Sequence, residues 1–315
     1  MVSLAQRLLD FADPGPSPEA GGGQAVSEPG WRSNLRWFEV FLLAHMGARS
    51  FLNFPRSGSQ IDELLYAASI GAALIGLAAP LRRKAVRVGF VLVTCQLLRS
   101  LPDSANHVFL ESMIFGLFAL LDPGDDDESR LLMQAMRWYI AIFFFYAGVQ
   151  KFVYGYYFDG QFLAYMAATE DRFGLVFQHL LPAAELDRLR AFNEVQLADY
   201  RYQVSLDAGP YRVDAPLFVW ASNFVWIYEM AAALLLMVRK TRAATALTLI
   251  GFVLLIEAGA RELTFGFLMI NLAFLFLEGP WIRKLLPLFA LLYGYLLLAE
   301  GGGAGILPMF WYSPA

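Results

Sequence analysis

Lys151 closes the uncharged run 138–150 (WYIAIFFFYAGVQ). An ammonium at the end of such a run costs about 3 kcal/mol on membrane-insertion scales, which makes it a candidate functional group. The plainer alternative is a lysine that snorkels to the headgroups and anchors a helix end. As a neutral amine, Lys151 would be a usable general base. A second apolar run opens on Asn106-His107 and carries Glu111 four residues after the histidine, on the same helix face one turn deeper. That His–Glu pair suits an imidazole bonded to a carboxyl group, and equally a polar contact between helices. It could also give two ligands to a metal. No HxxxH or HExxH accompanies it among three histidines, so a metal site is not expected. Histidine changes charge near neutrality and can stabilise charge developing on a substrate oxygen. A weakly acidic phenolic substrate in an apolar pocket would suit Lys151 with His107. Asn106, Glu111, Tyr146, Glu257 and Arg261 are candidate substrate contacts.

The elements that must position these groups are membrane helices. Hydrophobic residues make up 58% of the 315, with mean hydropathy +0.49, and charged residues only 17%, against roughly 25% in soluble domains. Apolar stretches of near-bilayer length recur from residue 34 to residue 299. The expected fold is an all-α, polytopic transmembrane bundle of about nine spans, at 34–54, 61–79, 86–100, 105–121, 131–153, 217–238, 243–258, 262–277 and 285–300. Pro80, Pro102, Pro123, Pro216 and Pro280 fall at its boundaries, where proline costs least.

Alternate short loops carry ten basic residues (Arg82, Arg83, Lys84, Arg87; Arg130; Arg239, Lys240, Arg242; Arg283, Lys284). The intervening loops carry three (Arg56, Arg99, Arg261). The positive-inside rule then puts the N-terminus inside and the C-terminus outside. Residues 1–33 form a flexible cytoplasmic tail, 34–300 the membrane domain and 301–315 an extracytoplasmic tail. The insertion 159–215, outside, contains an amphipathic stretch (AAELDRLRAFNEVQLADYRY). On this topology Asn106, His107, Lys151, Glu257 and Arg261 all lie toward the outer face, and a cavity opening there is expected. Glu229, deep in the sixth span, needs a partner, which Arg49 or Arg137 could supply. His45 reads as an interhelical donor and His179 as solvated. Cys95 excludes a disulfide framework within one chain, and no basic patch interleaved with aromatics points to nucleic acid.

Three stretches resemble the horizontally transferred transmembrane domain family, typified by vitamin K-dependent gamma-carboxylases. They are NHVFLESMIFGLFAL, FFFYAGVQKFVYGYYFDG, and IYEMAAALLLMVRKTR followed by ELTFGFLMINLAFLFLEGPWIRKL. The family's Ala-Gly-Val, lysine pair and following glycine are matched by Ala147, Gly148, Val149, Lys151 and Gly160. Gln150 stands for the first lysine. Trp281, Arg283, Lys284 and Leu285 match a closing motif. The resemblance covers roughly residues 34–285.

It implies that Lys151 deprotonates a reduced vitamin K- or menaquinone-like quinol, with Asn106 and His107 orienting the quinol and stabilising its oxyanion. The implied activity is epoxidase- or carboxylase-like, of the lyase class, in a multi-pass protein of a bacterial inner membrane. The implied partners are the bilayer, an isoprenoid quinone and a secreted peptide or protein. A histidine carried by the family before the eighth span is absent here, with Glu257 the nearest ionisable group. The carboxylase's extramembrane domain does not follow either, so a propeptide-tagged substrate is not expected. Two alternatives stay open: a non-catalytic accessory protein of the SdpB type that helps mature or export a secreted peptide, and a DoxX-like subunit of a redox complex.

Overall fold

The computed structural model describes residues 30–54, 59–101, 106–154, 157–169, 173, 176–193, 213, 215–260, 263–277 and 279–301. Every regular element among them is helical. In chain order these are α1 Gly30–Asn53, α2 Gln60–Leu77, a 3₁₀ turn Ala79–Leu81, α3 Arg82–Arg99, α4 Asn106–Leu120, α5 Asp126–Tyr154, α6 Gln161–Thr169, α7 Ala183–Phe192, α8 Pro216–Met237, α9 Arg242–Ala260, α10 Leu263–Phe274 and α11 Trp281–Gly301. Each of the nine expected spans coincides with one helix to within five residues at either end. The insertion supplies the short helices α6 and α7. The two tails, apart from residues 30–33 and Gly301, lie outside the described residues.

Four helical stretches are long and apolar enough to cross a membrane: Gln60–Leu77, Asp126–Val153, Pro216–Met237 and Arg242–Gly259. Their outward faces carry Leu64, Leu74, Ile142, Trp220, Leu234 and Leu254, all more than half exposed. Bare apolar surface on this scale marks contact with lipid or protein.

The chain divides into two compact units. The first holds α1–α4, the start of α5 up to Tyr139, residues 246–250 of α9, and α10–α11. Here α1 is the central helix, packed by α2, α3, α10 and α11. From Asn34 to Leu43 every side chain is buried, as expected of a helix enclosed on all sides.

One end of this unit is closed by side chains that satisfy orphan helix carbonyls. Asn34, fully buried, donates through Nδ2 to the carbonyls of Phe274 (3.1 Å) and Gly279 (2.8 Å), and its Oδ1 accepts from the Ile282 amide (3.2 Å). It thereby ties the start of α1 to the junction between α10 and α11. Arg82 donates to Gly76 and Leu77 at the end of α2. Arg83 donates to Phe118 and Arg87 to Ala119 at the end of α4. Arg83 also pairs with buried Glu39 at 3.0 Å. Guanidinium groups at helix C-termini are favoured by the macrodipole as well. Three of the basic residues counted for orientation are therefore structural caps. Asn34→Ala, which strands these groups together, should lower stability by about 2–3 kcal/mol, read as a fall in the thermal midpoint of the purified protein; Arg130→Ala, on an exposed site, serves as the control.

The second unit holds the rest of α5, the insertion, α8 and most of α9. Its insertion builds a small core of its own, in which Ala164 and Ala167 of α6 and Leu186 and Leu189 of α7 meet Phe177 and Phe218. The apolar face of α7 is thus spent on α6 and on the first turn of α8. At the other end of α8, Arg242 caps the Leu236 carbonyl at 3.1 Å.

Candidate functional site

Lys151 is ion-paired. Its Nζ donates to both carboxylate oxygens of Glu229 at 2.8 Å. The glutamate side chain is 6% exposed and the lysine 22%. Expectation had offered Arg49 or Arg137 as the partner of Glu229; the partner is Lys151. The lysine also lies 5.6 Å from the centre of the Tyr157 ring, within cation–π range. The amine and carboxylate together form a unit over which one proton can be shared, held beside an aromatic wall.

Two glycines let α8 be approached closely, and the first of them bears on the pair. A Cβ at Gly148, one turn before Lys151, would lie 2.5 Å from Met230 Cγ and 2.9 Å from the Trp226 carbonyl oxygen. Only a residue without a side chain lets α5 approach α8 this closely. That approach is what brings Lys151 level with Glu229, the neighbour of Met230. Gly160 adopts φ +73°, and a Cβ there would sit 2.6 Å from the Val219 amide nitrogen. It needs both the left-handed backbone and the empty space. Between these contacts Asn223 donates to the Phe158 carbonyl (2.9 Å) and accepts from the Trp226 indole (3.0 Å). Phe152 and Phe158 pack on the Trp226 ring at 5.3 and 5.5 Å.

No known family, curated protein or solved structure matches this chain. The structure places the Tyr157 ring beside the Lys151–Glu229 pair, while Phe152 and Phe158 pack on each other and on Trp226.

The other candidates fall in both units, and three of them have side chains outside the described residues. Asn106 and His107 are the first two residues of α4, in the first unit, and their side chains lie outside the described residues, as does Arg261. Glu257 is buried on α9 in the second unit. Tyr146 is 61% exposed, and five residues at 100° each turn it to a different face of α5 from Lys151. Glu111, whose expected neighbour His107 has its side chain outside the described residues, is engaged from α1. Its Oε2 lies 2.9 Å from Arg49 Nε, and its Oε1 lies 3.9 Å from His45 Nε2. The i,i+4 spacing to His107 says nothing of rotation about the helix axis, and that rotation presents Glu111 to α1. Sequence reasoning placed Glu229 in the membrane but missed its role; the signal was an acid and a lysine in apolar spans, each lacking an obvious partner.

Proposed function

We propose that this chain is a multi-pass membrane protein of nine spans, N-terminus inside and C-terminus outside, in a bacterial inner membrane, that binds a reduced isoprenoid quinone and removes its phenolic proton. The resemblance to the horizontally transferred transmembrane domain family gives the reaction class. The observation that carries the reading is the bidentate Lys151–Glu229 pair, set in apolar surroundings beside an aromatic ring. In the chemistry proposed, the ammonium returns a proton to Glu229, and the freed amine takes the quinol O–H proton. The carboxyl group stays bonded to nitrogen throughout, so no charge is left unpaired. The quinolate would then be competent for reaction with O2, which gives the epoxidase- or carboxylase-like outcome.

The test is purified protein in nanodiscs given reduced menaquinone and O2, with quinone epoxide as the product measured. Lys151→Ala should abolish product by roughly a hundredfold or more, the scale of a lost general base. A wild type that never consumes quinol overturns the proposal.

One feature favours a second reading. Lys151 Nζ bonds to both oxygens of Glu229, as befits a structural pair. On that reading the chain is an SdpB-type accessory protein serving a secreted peptide. Normal peptide maturation by Lys151→Met/Glu229→Leu would support it.

A further inference from the structure

A second polar cluster lies in the first unit, and the proposed quinol chemistry makes no use of it. His45 and Glu111 are 2% and 1% exposed. His45 Nδ1 lies 2.6 Å from the Tyr293 hydroxyl, and Nε2 faces Glu111. A neutral imidazole has one donor and one acceptor nitrogen. Nε2 faces a carboxylate, which only accepts; in the tautomer with the hydrogen on Nε2, Nδ1 accepts from Tyr293. Arg49 lies against the far oxygen of Glu111 and donates to Gln96 Oε1 at 2.8 Å, and Gln96 Nε2 donates to Ser69 Oγ at 2.9 Å. Five helices thus contribute: His45 and Arg49 from α1, Ser69 from α2, Gln96 from α3, Glu111 from α4 and Tyr293 from α11. At the opposite end the Tyr293 ring is boxed by Phe41 and Phe267 at 6.3 and 5.0 Å.

We propose that Tyr293, His45 and Glu111 form a proton-transfer chain inside the first unit, closed at Tyr293 by aromatic rings and ending at the Glu111 carboxylate, which Arg49 holds as its counter-ion. In the transfer, the Nε2–H bond breaks and a Glu111 Oε1–H bond forms as the Tyr293 O–H proton moves to Nδ1. The products are a tyrosinate, a neutral imidazole of the other tautomer and a carboxylic acid; the reverse step restores the start. His45 Nε2 and Glu111 stand 3.9 Å apart, so a closure of about 1 Å brings them into hydrogen-bond range and starts the transfer. Apolar packing would have served stability as well. A donor–acceptor order running in one direction through three titratable groups is what proton movement requires.

The experiment follows the His45 ring N–H in the full chain in nanodiscs, labelled with ¹⁵N and moved into D2O. His45→Gln assigns its signal among three histidines. The wild-type ring hydrogen should exchange ahead of the backbone amides of α1. In Glu111→Gln it should slow by roughly a hundredfold, the loss expected when a positioned acid–base group is removed. Glu111→Gln strands the Arg49 guanidinium, so Glu111→Asp is the second variant: it keeps the charge, widens the gap, and should also slow ring exchange while the α1 amides keep their rates. Ring exchange at the wild-type rate in Glu111→Asp, or ring exchange that moves in step with the α1 amides in either variant, overturns the proposal.

Discussion

Glu229→Leu will cost this protein about 3 kcal/mol of stability, because it leaves the Lys151 ammonium facing apolar side chains with no counter-charge. The size of the loss is diagnostic. Polar contacts between membrane helices average about 0.6 kcal/mol in double-mutant cycles. A loss near that value would mean that Lys151 simply swings to an interface, as a snorkelling lysine can. A loss near 3 kcal/mol means that the ammonium is held where lipid cannot solvate it. Lys151→Met/Glu229→Leu should recover most of the loss, since replacing a buried pair by apolar groups of similar volume is close to neutral. Thermal or denaturant unfolding of the three variants in one detergent completes the cycle, with an expected coupling of about 2–3 kcal/mol between neighbours in contact. Additive effects of the two single changes would show that the pair is not formed. The same variants separate the functional readings, because a stable but inactive double variant makes the pair catalytic and a stable, functional one makes it structural.

The helices themselves were legible because a bilayer-length apolar run is a strong one-dimensional signal, punctuated here by Pro80, Pro123, Pro216 and Pro280. Lys151 was legible for the same reason: a lone cation against thirteen uncharged residues stands out without any knowledge of packing. The partners were not. Glu229 was found but matched to Arg49 or Arg137, and the approach of Arg49 to Glu111 went unread, because hydropathy gives depth while helix rotation and neighbour choice come from packing. Lys151 and Glu229 meet through a backbone contact at Gly148 that no charge pattern encodes. His45 read as a plain interhelical donor, whereas it touches Tyr293, 248 positions away along the chain. The basic residues carried two messages at once. Arg82, Arg83, Arg87 and Arg242 were counted for orientation, and each also closes the carbonyl end of a helix. A cation at a helix C-terminus satisfies the macrodipole and its last carbonyls at once.

Gly148→Leu should be as damaging as loss of either charge, and by a route that tests how the site is assembled. The added side chain would meet the Trp226 carbonyl, which is backbone and cannot rotate away, as well as Met230. The relief open to the structure is for α5 and α8 to separate, at about 1–3 kcal/mol for overpacking, and the same separation pulls Lys151 from Glu229. In wild type the two costs add; in Lys151→Met/Glu229→Leu only the first remains. The unfolding penalty of Gly148→Leu should therefore shrink by roughly the coupling energy when moved into the double variant, because residues acting through one contact are non-additive. Gly160→Ala supplies the contrast. It strains the chain through its left-handed backbone by about 1 kcal/mol and through the Val219 amide, but it lies nine residues from Lys151, so its penalty should be nearly the same in both backgrounds. If Gly148→Leu behaves like Gly160→Ala, equally costly with and without the ion pair, then the close approach of α5 to α8 is ordinary packing and the position of Lys151 against Glu229 must be fixed by something else, with the aromatic ring of Tyr157 the next contact to remove.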